Sequence, residues 1–530
     1  MKTPGDQAAI ECGFAVTPCP REAQPWVLLV AILGSSMAFI DSTVVNVALP
    51  ALQASFGGSV IDLEWVVESY ALFLSALVLA GGSLGDLFGR RRTFLVGVVA
   101  FAIASAACGL APSLHGLVVA RAIQGAGAAL LVPGSLAIIS ASFGERDRGR
   151  AIGIWSGSTA ITTAMGPILG GWLIEHASWR WAFFINVPMA AAVIWFSLWR
   201  VPESRADGKK RVDWTGALAV IAGLAGLTYG FIESAKSGWS NPAVRGSFVA
   251  GCACLVAFFL LEAHAKEPMV PLDLFRSRDF TGANVLTLLL YAALGIFFFL
   301  FPLNLIQVQH YSATATGAAA LPFILLMFLL SPWSGGLVAR YGAKPPLIIG
   351  PVIAAAGFLL FAAPSLGDSY WSTFFPAFVV LGLGMAVSVA PLTTVVMNAV
   401  DPNHAGTASG INNAVARVAG LLAIALLGIA MVGAFSHALD HRLTQLNLPT
   451  DVERGLKANA IRLARLPVPA DVDPFTAARL RVAIDRSFLF GFRVIMLICA
   501  GLAMTGAALS WVTIEGRLKG VVGHPTRPGP

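Results

Sequence analysis

Long apolar runs separated by short polar loops fill most of the 530-residue sequence. An apolar run of about 18 residues or more is long enough to cross a bilayer as a helix. Fourteen such runs predict an all-α polytopic membrane protein. They lie at about 26–49, 64–84, 93–111, 115–139, 151–174, 181–199, 213–232, 245–262, 280–303, 315–338, 346–362, 372–396, 406–433 and 488–513.

The runs fall into groups of six, two and six, which predicts two similar bundles with two additional helices between them. The predicted divisions are a tail at 1–25, a six-helix bundle at 26–200, two additional helices with linkers at 201–279, a second six-helix bundle at 280–513 and a tail at 514–530. The second bundle includes a long loop at 434–487, in which 450–466 and 474–486 have helical patterns. We expect this loop to form a small outer cap.

Charge sets the orientation. Only 12% of the residues are charged, against about 25% in a soluble protein, so lipid must be the solvent. Lys and Arg concentrate in one set of short loops, which predicts that these loops and both termini are cytoplasmic. The net charge of +7 is therefore interpreted as a topology signal, and no nucleic-acid partner is expected.

Similar glycine patterns occur in both predicted bundles. Gly82, Leu84 and Gly89 recur as Gly335, Leu337 and Gly342, at an offset of 253. Gly125 and Gly127 recur as Gly382 and Gly384, and the 149–153 pattern recurs at 406–410, both at an offset of 257. This order indicates a duplication with parallel halves, an architecture typical of secondary transporters.

The turn at 82–92 joins two spans at the cytoplasmic side. Its glycines let helices approach and let the chain reverse, and Asp86 can cap a neighbouring helix N-terminus. We interpret Gly82, Asp86 and Gly89 as a latch between conformational states. Arg90, Arg91 and Arg92 are explained at least as well as topology signals in a solvated turn.

Two ionisable residues lie inside predicted spans, where charge is costly and usually functional. Asp41 is roughly 12 Å from the outer end of span one, and Arg121 is roughly 9 Å from the outer end of span four. These depths allow the two side chains to meet. A carboxylate that alternates between Arg and a proton can couple transport to protons; the alternative is a static ion pair.

Further polar residues have less specific patterns. Arg417 is a third charge inside a span, without an assigned role. Glu64 and Glu68 share a helix face and can attract cations or be solvated at the interface. Candidate substrate or ion contacts are Asn46, Glu68, Gln124, Asn413 and Arg417.

Span five combines a Gly-Pro kink with paired glycines: Gly166, Pro167, Gly170 and Gly171. Proline interrupts the helix ladder and glycine permits close packing, which suits a helix at the seam between two halves. The phosphate-binding pattern of ATPases and the common hydrolase motifs are missing from the sequence. No cofactor is expected, and an ion gradient must supply the energy.

Nearly the whole chain resembles the major facilitator superfamily, specifically its 14-span drug:proton antiporters of EmrB/QacA type. The matching segments are 41–50, 82–92, 121–127, 166–171, 179–188 and 413–420. The resemblance implies proton-driven export by alternating access, with Asp41 and Arg121 in proton coupling, Asp86, Gly89 and Arg90 in gating, and the Gly-Pro motif as an antiporter mark. Glu68 replaces an expected small polar residue, and Ala339 replaces the acid of the first turn, so the latch is expected on one side only.

We therefore expect a secondary transporter, not an enzyme, that exports hydrophobic or cationic drugs across the inner membrane. The alternatives are a transporter for one endogenous solute or lipid, and a membrane-embedded sensor or enzyme. The expected partners are the substrate, protons and the bilayer, with a periplasmic adaptor as a further candidate; a monomer is expected.

Overall fold

The computed structural model describes residues 22–143, 145–204, 213–265, 268, 270–400, 405–446, 448–468 and 472–515. Helices occupy all fourteen predicted positions, and no strand occurs within these ranges. The first bundle consists of α1 (Gln24–Phe56), α2 (Val60–Phe88), α3 (Arg90–Leu110), α4 (Leu114–Ser142), α5 (Glu145–His176), α6 (Trp181–Phe184) and α7 (Asn186–Arg200). The central helices are α8 (Trp214–Ser237) and α9 (Pro242–His264). The second bundle consists of α10 (Arg278–Leu303), α11 (Ala313–Ala319), α12 (Leu321–Tyr341), α13 (Lys344–Phe361), α14 (Phe374–Asn398), α15 (Ala405–Leu443), α16 (Thr450–Ala458) and α17 (Pro474–Thr513).

Twelve helices in the described part of the chain are long and apolar enough to cross a membrane. The two predicted positions outside this set are α2, which has three acids in its first turns, and α5. The multi-pass architecture is confirmed, whereas a total of fourteen spans stays a prediction.

Short polar side chains begin several of these helices. At α2, the Ser59 Oγ accepts a hydrogen bond from the Asp62 N–H at 3.3 Å, and the Asp62 carboxylate accepts the Ser59 N–H at 2.7 Å. This reciprocal pair satisfies two backbone donors that a helix N-terminus leaves free. Asp213 caps α8 and Asn241 caps α9 in a similar way.

Equivalent close contacts in the two bundles confirm the duplication. Gly125 lies against the backbone of Tyr70 and Gly127 against that of Phe101. In the second bundle, Gly382 lies against Phe323 and Gly384 against Ala354. The partners are related by the 253 offset and the glycines by the 257 offset predicted from the sequence, so the same helix pairs approach each other at corresponding points.

The central helices contact both halves. Leu224 of α8 packs with Leu72 of α2 and Leu421 of α15 in one apolar cluster. Helices α8 and α9 approach closely where Gly226 meets Gly251. The additional pair is therefore packed against the bundles rather than separate from them.

The predicted outer loop is shorter than 434–487, because α15 continues to Leu443 and α17 begins at Pro474. Between them lie α16 and a 3₁₀ helix at Ala460–Arg465, which agree with the helical patterns in the sequence. Leu456, Leu463 and Leu466 of this connection are buried. The segment is thus packed onto the ends of the helices that it connects.

Candidate functional site

Asp41 of α1 and Arg121 of α4 meet inside the first bundle. The Arg121 Nη1 donates to Asp41 Oδ2 at 2.5 Å, and both residues are at most 1% exposed. The depth comparison from the sequence thus predicted a contact that the structure contains. Its role in proton coupling stays a prediction.

Amide and hydroxyl groups complete the surroundings of the Asp41 carboxylate. Gln124 Nε2 donates to Asp41 Oδ1 at 2.8 Å, and Asn186 Nδ2 donates to the same oxygen at 3.2 Å. Both amides also donate to the Ser105 Oγ, at 3.2 and 3.0 Å. Four helices, α1, α3, α4 and α7, therefore contribute to one buried polar cluster.

The Arg121 guanidinium has further partners besides the carboxylate. Its Nη1 also donates to Gln124 Oε1 at 2.8 Å, and its Nε donates to the Val66 carbonyl at 3.2 Å. Its carbon lies 4.1 Å from the centre of the Tyr70 ring, a cation–π distance. These contacts can hold the Arg121 guanidinium in place when it is not paired with the Asp41 carboxylate.

The arrangement suits the ionised form of Asp41, because three donors point at its two oxygens. Protonation would leave Arg121 as an uncompensated buried charge unless the guanidinium moved to its other partners. The geometry therefore permits two states: a closed ion pair, as observed, and a protonated carboxyl with Arg121 held elsewhere.

Arg417 of α15 lies across the seam from this cluster. Its guanidinium is close enough to the hydroxyls of Tyr70 and Tyr291 to interact with both, and its Nε is buried without a hydrogen-bond partner in the described residues. The Tyr70 ring contacts Arg121 of the first half, and its hydroxyl interacts electrostatically with Arg417 of the second. Asn412, on the same helix as Arg417, donates to Thr287 Oγ1 at 2.6 Å.

Glu64 and Glu68 lie one turn apart on α2, at 2% and 0% exposure. The interpretation of these acids as solvated interfacial residues is therefore wrong. Both Glu68 carboxylate oxygens are buried and have no hydrogen-bond partner within the described chain. The Glu64 carboxylate lies against Gly428 of α15, so these acids face the second half.

The glycine motif of α5 lies at the seam between the halves and has two packing faces. Gly166 and Gly170 lie against Thr43 and Val44 of α1. Gly171 lies against the Ala313 carbonyl of α11, and the Pro167 carbonyl lies against Gly317 of the same helix. No sequence motif singled out Gly317. Its small size matters only for the contact with α5, and that contact is not visible in the sequence.

An acid also joins the halves at the end of α5. The exposed Glu175 carboxylate accepts the Thr314 hydroxyl at 2.6 Å and the Thr314 N–H at 3.3 Å. These hydrogen bonds lower the pKa of Glu175 below its ordinary value of 4.5. On the same side of the protein, Gln307 Nε2 donates to Gln53 Oε1 at 2.9 Å.

In the predicted gating turn, glycine is required at one position and another glycine makes the close helix approach, whereas the gating role stays a prediction. Gly89 has φ of +105°, and a Cβ there would clash with Glu203, so glycine is required. Gly82 has open space around its Cβ position, whereas Gly81 lies against the Ala129 carbonyl and makes the close approach. The Asp86 side chain lies outside the described part of the structure.

Glu203 is an acid observed at the start of α3. Its carboxylate accepts the N–H groups of Arg91 and Arg92 at 3.0 and 3.2 Å. The Arg90 N–H donates to the Ser204 carbonyl at 2.9 Å. These contacts tie the turn to the segment that follows α7, within the first half.

Three other residues lie outside the polar cluster, and two of them were predicted as substrate or ion contacts. Asn46 donates only to the Ser42 carbonyl of its own helix, at 3.3 Å, and the Asn413 side chain is exposed. Phe297 is fully buried, with its ring centre 4.6 Å from that of Phe361. This ring packs inside the second bundle and does not face lipid.

Sequence reasoning did not single out Asn186, Ser105 or Tyr70 as parts of the cluster. Each lies on a helix remote in sequence from Asp41, and each is a common residue type for a membrane span. The one sequence signal that could have indicated them is a polar residue inside a predicted span with no hydrogen-bond partner nearby on its own helix.

Comparisons with known proteins agree with this architecture. The family model described as Major Facilitator Superfamily matches residues 31–424. The Tetracenomycin C resistance and export protein of Streptomyces glaucescens is 33% identical over 513 residues, covering 94% of each chain. The Multidrug resistance protein Stp of Mycobacterium tuberculosis is 36% identical over 443 residues, covering 82% of this chain and 80% of the relative.

Among solved structures, a bacterial homolog of the human lysosomal transporter Spinster, inward-facing and occupied, superposes with a TM-score of 0.64. The alignment has 16% sequence identity and covers 94% of this chain and 98% of that one. At this identity the likeness shows the fold alone.

Proposed function

The chain belongs to the major facilitator superfamily and is a multi-pass secondary transporter, and we propose that it is a proton-coupled drug exporter of the 14-span EmrB/QacA type. It would work in the inner membrane with both termini cytoplasmic. The resistance and export names of its relatives support the export direction and a drug-like substrate.

The observation that carries the proposal is the Asp41–Arg121 pair with its amide surroundings. A carboxylate fully supplied with donors, next to a cation that has alternative partners, can exchange the cation for a proton. Such an exchange would change the contacts between α1 and α4 and so link proton binding to a conformational change.

The test uses the full-length protein in sealed vesicles with an imposed pH gradient. Asp41→Asn should abolish drug accumulation driven by the gradient and drug-induced proton release, because it removes the group that titrates. The matched control is Asp451→Asn, which changes an acid that is 92% exposed on the outer connection. Intact proton-driven transport by Asp41→Asn would refute the proposal.

The environment of the Glu68 carboxylate favours a substrate that carries a cationic group. A fully buried carboxylate without a partner is expensive as an anion, so it is either neutral or ready to receive a cation. Its neighbour Glu64 would add a second negative charge at the same face of α2. We propose that a positively charged drug, or a proton, occupies this site during transport.

A further inference from the structure

Four arginines line a continuous groove on the outer hairpin of α15 and α17. The groove consists of two adjoining hollows, of about 440 and 340 Å³. Arg442 and Arg486 line both hollows, Arg479 lines the first and Arg493 the second. Among the residues that the structure describes, no acid lines either hollow.

These arginines lack compensating carboxylates. Within the described residues none of the four forms an ion pair, since the neighbouring acids have other partners. Asp485 pairs with Arg481 at 3.4 Å, and Asp440 pairs with Lys457 at 3.5 Å. Asp368 accepts the Ser365 N–H at 2.7 Å.

The proximity of like charges is visible at Arg442. Arg442 and Arg486 both line the two hollows, so their guanidinium groups share one small volume. Arg442 Nη1 donates to the Ala438 carbonyl at 2.9 Å, and Arg493 Nη2 donates to the Pro364 carbonyl at 3.1 Å. Neutral carbonyl partners orient the guanidinium groups but do not cancel their charge, so an anion would gain from several of them at once.

The groove also has an apolar side that leads towards the membrane. Leu489 and Phe490 line the second hollow, and the Phe490 ring is 39% exposed. Arg486 lies only two residues beyond the predicted outer end of the last span, roughly 3 Å outside the apolar core. This height lies within the layer of lipid headgroups.

We propose that this groove binds the phosphate headgroup of an anionic phospholipid of the outer leaflet, with the acyl chains along Phe490 and Leu489. Free inorganic phosphate shares the headgroup chemistry but lacks the chains that the apolar side would contact. Bound lipid would hold the hairpin at the membrane surface. This site does not depend on what the protein transports.

The test compares lipid binding to the purified full-length protein in detergent by native mass spectrometry. The probes are a short-chain phosphatidylglycerol, phosphatidylcholine with the same chains, and inorganic phosphate as a competitor. The wild type should bind phosphatidylglycerol in preference to phosphatidylcholine. At about 1 kcal/mol for each basic residue, Arg442→Gln with Arg486→Gln should weaken binding about thirty-fold.

Two matched variants decide the interpretation. Arg245→Gln with Arg454→Gln removes two charges outside the groove and should leave binding unchanged. Arg486→Gln alone changes an exposed side chain, should fold, and should weaken binding about five-fold. Equal binding of both lipids, equal losses in groove and control variants, or displacement of the lipid by phosphate at similar concentration would each overturn the proposal.

Discussion

Gly317 offers a direct way to perturb the seam between the halves. In Gly317→Ala, the new Cβ would overlap the Pro167 carbonyl of α5. The obstacle is backbone rather than the end of a flexible side chain, so α5 and α11 must separate. Because overpacking of this kind costs about 1–3 kcal/mol, the state in which α5 and α11 are in contact should lose about five- to 150-fold in population relative to a state in which they are apart.

The separation can be measured as a distance distribution between spin labels at His176 and Trp371, which are both exposed. Native cysteines are replaced beforehand. Gly317→Ala should shift the distribution towards longer distances and slow transport.

Gly501→Ala on α17 is the control, because its Cβ would meet nothing within 4 Å. An unchanged distribution in Gly317→Ala, or the same shift in both variants, would show that this contact does not hold the two halves together.

Three further predictions concern charged side chains. Arg121→Lys keeps the charge but loses the guanidinium fork that bonds Asp41 and its neighbours, so proton-driven transport in vesicles should fall at least about ten-fold; unchanged rates would contradict the exchange mechanism. Glu68→Gln should raise KM for a cationic drug about ten-fold and leave that for a neutral drug unchanged; equal effects would indicate a structural role. The lowered pKa of Glu175 means that its bonds to Thr314 stabilise closure above pH 4.5 and are lost as pH falls through the lowered value. Spin-label distances should therefore lengthen in acid in the wild type but not in Glu175→Gln, and an identical acid response would refute the contact.

Periodicity and length located every long helix because a span must be continuously apolar. The end of α15 was missed, and the helical pattern at 474–486 was assigned to a separate cap rather than to the first turns of α17. Arg442 and Arg486 gave these turns the composition of a loop. The hydropathy of a segment indicates whether lipid or water surrounds it. It does not indicate whether a helix continues through that segment.

The sequence predicted a contact within the site only where the depths of two residues along their spans were enough to bring them together. Asp41 and Arg121 lie at similar depths on neighbouring helices, and they meet. Asn186 donates to the same carboxylate, but its position depends on how α7 packs against α1. That packing is a tertiary property that one sequence does not reveal.

Helix α5 packs against α1 on one face and against α11 on the other, so it mechanically couples these two helices. Gly166 touches Thr43, two residues from Asp41, and Gly171 touches α11 of the other half. These contacts are five residues apart, about 7.5 Å along one helix. Both contacts belong to one continuous helix, on either side of Pro167, so a shift of α1 of a fraction of an ångström would reach the contact with α11 through the backbone of α5 without any relay of side chains.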